Sequence, residues 1–354
     1  MPLGSFHAER FRCLADVELE LDPGVNLFIG HNASGKTSLL EAAFFLSRGR
    51  SFRSHRRDAL IAHGEDSFLL TGKALGSPAP VALGVRGSRK STEWHVGGAA
   101  AAGIADLAEQ FPAQIIDPEV HKLLEEGPGR RRRYLDWGVF HVEHGFLPNW
   151  RRYHLALRQR NAALKQDADD TSLDAWDQEL AASGEVLARQ RSAYLSRIAA
   201  PLALIGGALL DAPVTLSHQA GWDTDGSLLQ ALARDRRRDR QYRATQCGPH
   251  RADVLVQVGG KPARDRVSRG QQKLVAAGLM LAQLEIQDQE KPGRAALLLD
   301  DPAAELDEHN LSRLMRLVEN VPAQLWITGL QAAALHQLKD YRLFHVEQGR
   351  VRRA

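Results

Sequence analysis

Val25-Asn26-Leu27-Phe28-Ile29-Gly30-His31-Asn32-Ala33-Ser34-Gly35-Lys36-Thr37 is the stretch on which the fold turns. Its first five residues form the short apolar run expected of a buried central strand. The next eight fit G-x-x-x-x-G-K-[ST] at every fixed position, and residues 37–46 continue as a helix. A phosphate loop needs each of these parts. Its glycines let successive backbone N–H groups turn inward onto phosphate oxygens, and the helix presents its positive N-terminal end to the same anion. Lys36 is expected to reach the terminal phosphates of a nucleotide, and the Thr37 hydroxyl to ligate Mg²⁺.

A partner for that loop lies far downstream. Leu297-Leu298-Leu299-Asp300-Asp301 is an apolar strand ending in two carboxylates. Asp300 is the expected second Mg²⁺ ligand, and Asp301 the group that polarises a water for in-line attack. The separation of 263 positions from Thr37 to Asp300 is too long for a small kinase or GTPase. A large insertion must therefore split one nucleotide site. Just ahead of the acidic strand, Val267-Ser268-Arg269-Gly270-Gln271-Gln272-Lys273 opens a helix. A serine hydroxyl with the N–H groups of a helix start makes a second anion receptor, although a plain serine cap fits the same residues. One chain needs only one cradle for its own γ-phosphate, so the spare receptor suggests a grip on nucleotide held by a second copy.

The rest of the chain agrees with an α/β domain built from both ends. Residues 17–21 read as a half-buried strand, 65–96 as a meander of short strands, and 99–105 as a small-residue loop without chemistry. Phe146, Trp150, Tyr153, Leu157 and Leu164, then Leu173, Trp176, Leu180, Leu187, Tyr194 and Ile198, mark two helices with coiled-coil-like seams around a polar turn near 167–171. Strand–helix alternation resumes with strands at 254–258, 295–299 and 324–328, helices at 270–285 and 311–321, and a C-terminal hairpin around Gln348-Gly349-Arg350. The expected organisation is a discontinuous P-loop domain, 1–115 with 245–354, and an inserted helical lobe at 116–244.

Composition sets the outer bounds. The 354 residues are 44% hydrophobic and 25% charged, which excludes a mainly disordered or collagen-like chain. Two cysteines, far apart, suit a reducing compartment and the cytoplasm. No apolar run of about 18 residues stands out, so no membrane span is expected. A net charge of +3 is too small to argue for nucleic acid by itself. Local clusters say more. Arg48, Arg50, Arg53, Arg56 and Arg57 follow the P-loop helix, Arg130 to Arg133 form a run, and a third cluster near 234–240 is interrupted by Asp235 and Asp239. Arginine suits phosphate backbones. Arg50, Arg53, Arg56 and Arg57 are the candidate DNA contacts. His141 and His144 around Glu143 lack further metal ligands, and His250 reads as a structural brace.

These residues carry a resemblance. The chain resembles the ATP-binding-cassette ATPases of the SMC type and, more closely, the RecF family of bacterial recombination and replication-repair proteins. The match includes Arg10-Phe11-Arg12, the P-loop, Gly49-Arg50-Ser51-Phe52-Arg53, Ile116-Asp117-Pro118-Glu119 and Arg131-Arg132-Arg133-Tyr134-Leu135-Asp136-Trp137. It continues through Arg160-Asn161-Ala162-Ala163-Leu164, Gly248-Pro249-His250-Arg251-Ala252-Asp253, the Ser268 segment and Asp300-Asp301-Pro302-Ala303-Ala304-Glu305-Leu306-Asp307. The resemblance implies an SMC-head fold of ABC-ATPase type and ATP with Mg²⁺ as ligands. It makes Arg12 a nucleotide contact and Gln114 a sensor of Mg²⁺ and the attacking water. Ser268, Gly270 and Gln271 become the signature motif that meets a partner's γ-phosphate, and Glu305-Leu306-Asp307 a loop at the dimer seam. It further implies an ATP-dependent homodimer on single-stranded and gapped DNA, loading of RecA with RecO and RecR, and support of the SOS response. Three departures stand out: Ala33 replaces a usual glycine, Asp301 a usual glutamate, and Thr328-Gly329 stands where a switch histidine is common. The shorter base fits a weak, DNA-stimulated ATPase used as a timer. An SMC-like clamp with negligible turnover and, more remotely, a transporter ATPase subunit are the competing expectations.

Overall fold

The computed structural model describes every residue except Ser77, residues 332–337 and Lys339, with Glu305 described by its backbone alone. The chain opens with β1 (Leu3–Phe11), β2 (Leu14–Glu20), β3 (Val25–Ile29), α1 (Lys36–Arg48), β4 (Ser67–Ala74), β5 (Val81–Ser88), β6 (Thr92–Val96), β7 (Ala99–Ala100), α2 (Ile104–Gln110) and β8 (Ala113–Ile116). There follow α3 (Lys122–Glu125), α4 (Pro128–Val142), α5 (Phe146–Lys165), α6 (Asp170–Leu210), β9 (Val214–Gln219), α7 (Leu228–Tyr242), β10 (Asp253–Val258), β11 (Lys261–Pro262), α8 (Ala263–Arg266) and α9 (Arg269–Glu290). It closes with β12 (Ala295–Leu299), α10 (Pro302–Glu305), α11 (Glu308–Val318), β13 (Ala323–Gly329), β14 (Tyr341–Glu347) and β15 (Arg350–Arg353).

Two compact units result: Met1–Val120 with Ala277–Ala354, and His121–Ala276. The expected division at 115/116 and 244/245 differs from this, because β10, β11 and the start of α9 group with the helices. The expected loop at 99–105 is instead a short strand pairing with β6, followed by the start of α2.

The first unit holds two six-stranded sheets. One is antiparallel, in the order β2-β1-β4-β5-β6-β7, and the other runs β15-β14-β3-β13-β12-β8. In the second sheet β14, β3, β13, β12 and β8 are parallel, and β15 closes a hairpin on β14. Parallel strands sit at the centre of such folds when both faces are covered. The all-buried pattern of Ala295–Leu299 fits that position. Helix α1 is buried along nearly its whole length, with Leu39, Leu40, Ala42, Ala43 and Leu46 fully buried, so it lies in the core shared by the two sheets. Aromatic contacts tie that core together. Phe6 meets Trp326 edge-on at 5.5 Å, and Phe28 stacks on Phe344 at 5.0 Å.

In the second unit α5 and α6 form the expected αα-hairpin, and β9 and β11 flank β10. The seam residues Tyr153, Leu164, Leu173, Leu180, Leu187, Tyr194 and Ile198 are buried as their spacing predicts. One expectation needs correction. Helix α6 runs for 41 residues and contains an 18-residue window of mean hydropathy 1.6, so by length and composition it could cross a membrane. Its apolar residues explain this differently: Leu195, Ile198, Leu202, Ile205 and Leu209 recur every three or four positions and are all buried in the unit's core. Arg160 lies fully buried between Asp177 and Asp239, donating also to the Thr245 hydroxyl at 2.9 Å.

Candidate functional site

The β3–α1 connection takes the shape its sequence dictates. Gly30 must be glycine because a Cβ there would come within 2.2 Å of the Val346 carbonyl oxygen and 2.9 Å of Ser34 Oγ. Gly35 caps α1 at φ 115°, a conformation that side chains rarely tolerate. Ala33 also lies in the left-handed region, at φ 62°. That accounts for the glycine usual at its position. His31 and Asn32 are exposed at the loop's tip.

Lys36 curls back over the loop. Its Nζ donates to the carbonyls of Gly30 (2.7 Å) and His31 (2.9 Å). Burial lowers the Lys36 pKa, while Asp301 and Asp300 act to raise it. The loop and the acidic strand meet: Thr37 Oγ1 donates to Asp300 Oδ1 at 3.0 Å, at a sequence separation of 263. Burial raises the Asp300 pKa, opposed by hydrogen bonds from the Thr328 and Thr37 hydroxyls. Asp301 follows at φ 46°, ψ 57°, in the left-handed region at the start of α10.

The residues present fit a magnesium nucleotide. A threonine hydroxyl beside a carboxylate is a hard oxygen set of the kind Mg²⁺ prefers. Ser34, only 7% exposed, keeps its Oγ buried without a hydrogen-bond partner, as a loop built to meet phosphate oxygens would.

Other expected residues fall elsewhere. Gln114, the expected sensor of Mg²⁺ and the attacking water, stands on β8, the strand beside β12. It lies inside β8 opposite Leu297, three residues short of the strand level of Asp300, or about 10 Å at the usual rise. Its amide is occupied on both sides, accepting from Arg48 Nη2 at 2.9 Å and donating to Gln283 Oε1 at 2.5 Å. The residue at the level of Asp300 is Asp117, since the Asp300 N–H bonds the Ile116 carbonyl at 3.0 Å. Arg12 turns its guanidinium onto Glu41 of α1. Ser268 caps α9: its Oγ accepts from the Gln271 N–H at 3.3 Å, and the Gln271 side chain accepts from the Ser268 N–H at 3.0 Å. A Cβ on Gly270 would meet nothing within 4 Å, so the chain's own packing does not require glycine there.

The arginine clusters are largely tied down. Arg48 donates to the Ala113 carbonyl and Gln114. Arg53 leans on Glu41 at 3.4 Å, and Arg56 pairs with Asp58. Arg131 is buried against Asp253, and the half-buried Arg236 pairs with Asp174 and Asp177. Arg50 is exposed but has a partner of its own. Arg57 is exposed, with no side-chain partner among the described residues. No cluster of three or more His, Cys, Asp or Glu suited to a metal occurs among the described residues.

Sequence reasoning flagged Thr328 only as a replacement for histidine. The structure gives it hydrogen bonds to both acidic residues. The only available signal was its place at the end of the strand beside the acidic one.

Comparisons with known proteins give the family and the fold. The family model for the RecF/RecN/SMC N-terminal domain matches residues 2–352. The DNA replication and repair protein RecF of Chromohalobacter salexigens is 40% identical over 359 residues, covering 99% of this chain and 99% of that protein. RecF of Azotobacter vinelandii is 39% identical, covering 99% and 98%. A solved structure of the recombination mediator protein RecF with ATP, in the RecFOR pathway, matches at TM-score 0.90 and 26% identity, over 100% of this chain and 97% of that one. An SMC head bound to the C-terminal winged-helix domain of ScpA matches at TM-score 0.64 and 13% identity over 100% and 97%, a likeness of fold alone. With its split P-loop site and SMC-head architecture, the chain belongs to the RecF family.

Proposed function

We propose that this chain is an ATP-dependent DNA-binding protein of replication and recombinational repair, acting in the cytoplasm, with ATP as the switch of a homodimer. The observation that carries the reading is the 3.0 Å hydrogen bond from Thr37 to Asp300. It joins the two halves of a nucleotide site across an insertion too large for any smaller P-loop enzyme.

Bound Mg²⁺ would neutralise charge on the terminal phosphates. Thr37 and Asp300 are the residues to hold it. The loop from Gly30 to Lys36 supplies backbone donors, and Lys36 exchanges the carbonyls of Gly30 and His31 for phosphate oxygens. Asp301 accepts a proton from the attacking water. Its carboxylate is one methylene shorter than the usual glutamate, which favours slow turnover and hence a timer rather than a motor. The open space around Gly270 supports a role for the Ser268 helix outside its own chain: it meets the γ-phosphate of a second copy. Hydrolysis then removes those contacts and opens the dimer. Within this reading the dimer grips single-stranded and gapped DNA through its phosphates and helps load RecA with RecO and RecR, in support of the SOS response.

Sedimentation with ATP, with ADP and without nucleotide tests the reading. A dimer is expected with ATP only, and Ser268→Arg should abolish it. A monomer under all three conditions would overturn the switch.

A further inference from the structure

The end of β13 joins the two halves of the site through one dipeptide. Thr328 is fully buried. Its Oγ1 lies 2.9 Å from the Asp301 backbone nitrogen and 2.9 Å from Asp300 Oδ1. An amide N–H can only donate and an ionised carboxylate can only accept. The hydroxyl therefore accepts from Asp301 and donates to Asp300. The competing acceptor, the Leu299 carbonyl, is farther away at 3.4 Å, and the hydroxyl has a single proton. Thr37 donates to the same Oδ1 at 3.0 Å. On the other side, the next residue's carbonyl, that of Gly329, accepts the Gly30 N–H at 3.2 Å.

An ordered chain thus runs from the Asp301 amide through Thr328 to Asp300, and Thr37 converges on the same oxygen. Asp301 occupies the left-handed region, which is less costly for aspartate than for most residues with a side chain but still benefits from local restraint. The bond from its N–H to Thr328 is one such restraint, and it sets where the Asp301 carboxylate starts from.

We infer that Thr328 is a positioning residue for this site, its hydroxyl orienting the Asp300 carboxylate as a metal ligand while holding Asp301 in its left-handed turn. This rests on the ATP-hydrolysis reading above. The hydroxyl reaches both partners because Asp300 and Asp301 directly follow β12, the strand beside β13, with Leu299 opposite Ile327. The methyl group is not needed for the effect, and valine would keep the β-branched shape while removing both hydrogen bonds.

The test compares wild type, Thr328→Val and Thr328→Ser. It uses Mg²⁺-dependent binding of a fluorescent ATP analogue and steady-state turnover, with Lys36→Ala as the control for the reading itself. Thr328→Val should raise the Mg²⁺ concentration for half-maximal nucleotide binding and lower kcat, each about 10-fold or more, as removal of a ligand's hydrogen-bond partner typically does. KM for ATP at saturating Mg²⁺ should stay nearly unchanged, and Thr328→Ser should restore both quantities. The inference is overturned if Thr328→Val matches wild type in both, or if serine behaves as valine does. Equal nucleotide binding by wild type and Lys36→Ala overturns the nucleotide reading and this inference with it. A wild type that binds MgATP without turning it over removes hydrolysis alone, and the Mg²⁺ midpoint then decides the role of Thr328.

Discussion

Arg12 grips Glu41 through two parallel hydrogen bonds, Nε to Oε2 at 2.9 Å and Nη2 to Oε1 at 2.7 Å. Glu41 is wholly buried in α1, one helical turn past Thr37, and Ser51 and Arg53 share its carboxylate. An arginine marked for nucleotide contact is therefore also a clamp between the β1–β2 turn and the P-loop helix. Its removal leaves a buried carboxylate partly uncompensated. Arg12→Ala is expected to lower the unfolding free energy by about 3 kcal/mol, the scale found when one partner of a buried pair is deleted. Arg12→Lys should recover only part of that loss, since an ammonium cannot repeat the two-pronged geometry. Urea denaturation of the three proteins without nucleotide decides it, and equal midpoints for wild type and Arg12→Ala would remove the clamp.

Ala33 lies at φ 62° within the phosphate loop, a conformation costing an alanine about 1–2 kcal/mol relative to glycine. The extra freedom of an unfolded glycine offsets roughly 0.4–1 kcal/mol of the relief. Ala33→Gly should therefore stabilise the free protein by about 0.5 kcal/mol, and Ala33→Val should destabilise it by more than that. Guanidinium midpoints at fixed pH provide the measurement. A glycine variant clearly weaker than wild type would show that the Ala33 methyl has a packing role that outweighs the strain.

What could be read in advance, and what could not, follows from the range of each interaction. The phosphate loop and the Leu297-Leu298-Leu299-Asp300-Asp301 strand were legible because each is local, and chemistry requires that they meet. Thr328 was not, because its role comes from strand register, β13 beside β12, and no short motif encodes register. The surroundings of Gln114 were hidden for the same reason. Its spacing from Pro118-Glu119 was visible, but its depth inside β8 and its pairing with Arg48 and Gln283 were not. Arginine runs looked free because their acidic partners, Glu41, Asp58 and Asp253, lie on other elements or are masked by local charge. The apolar end of α6 shows the opposite case: a stripe at helical spacing was always the better description than a sum of hydropathies.

The free guanidinium of Arg57, beside the ion-paired Arg56, ranks these two for DNA contact. Each phosphate neutralised adds about 0.9 to the steepness of log K against log salt on duplex DNA. Arg57→Ala should therefore reduce that slope by about 1 without changing sequence preference, whereas Arg56→Ala, which already has Asp58 as a partner, should reduce it less. Fluorescence anisotropy with a gapped duplex across a salt series, with ATP present, gives both slopes. Unchanged slopes in both variants would move the DNA surface away from this segment.

His250 should make the helical unit sensitive to acid. Its Nε2 lies 3.0 Å from the Thr245 carbonyl and its Nδ1 2.7 Å from the Tyr153 hydroxyl. A carbonyl can only accept, so the proton sits on Nε2 and Nδ1 accepts from Tyr153, whose oxygen in turn accepts from the His250 N–H at 3.3 Å. Protonating Nδ1 would end its role as acceptor and oblige the Tyr153 hydroxyl to turn and accept instead. Burial, with Arg251 and Arg132 nearby, lowers the His250 pKa from 6.5 to about 4, and burial lowers that of His218 to about 4 as well. The native state then binds fewer protons than the unfolded chain between these values, so stability rises with pH across that window. The contribution is intact above pH 6.5 and is lost as pH falls toward 4. For His250 it amounts to at most about 3 kcal/mol. His250→Gln should lower stability at neutral pH and flatten the fall between pH 6.5 and 4, as measured by denaturant unfolding at a series of pH values. Parallel curves for wild type and variant would mean that the imidazole titrates alike in both states and that the brace it forms with Tyr153 carries no pH dependence.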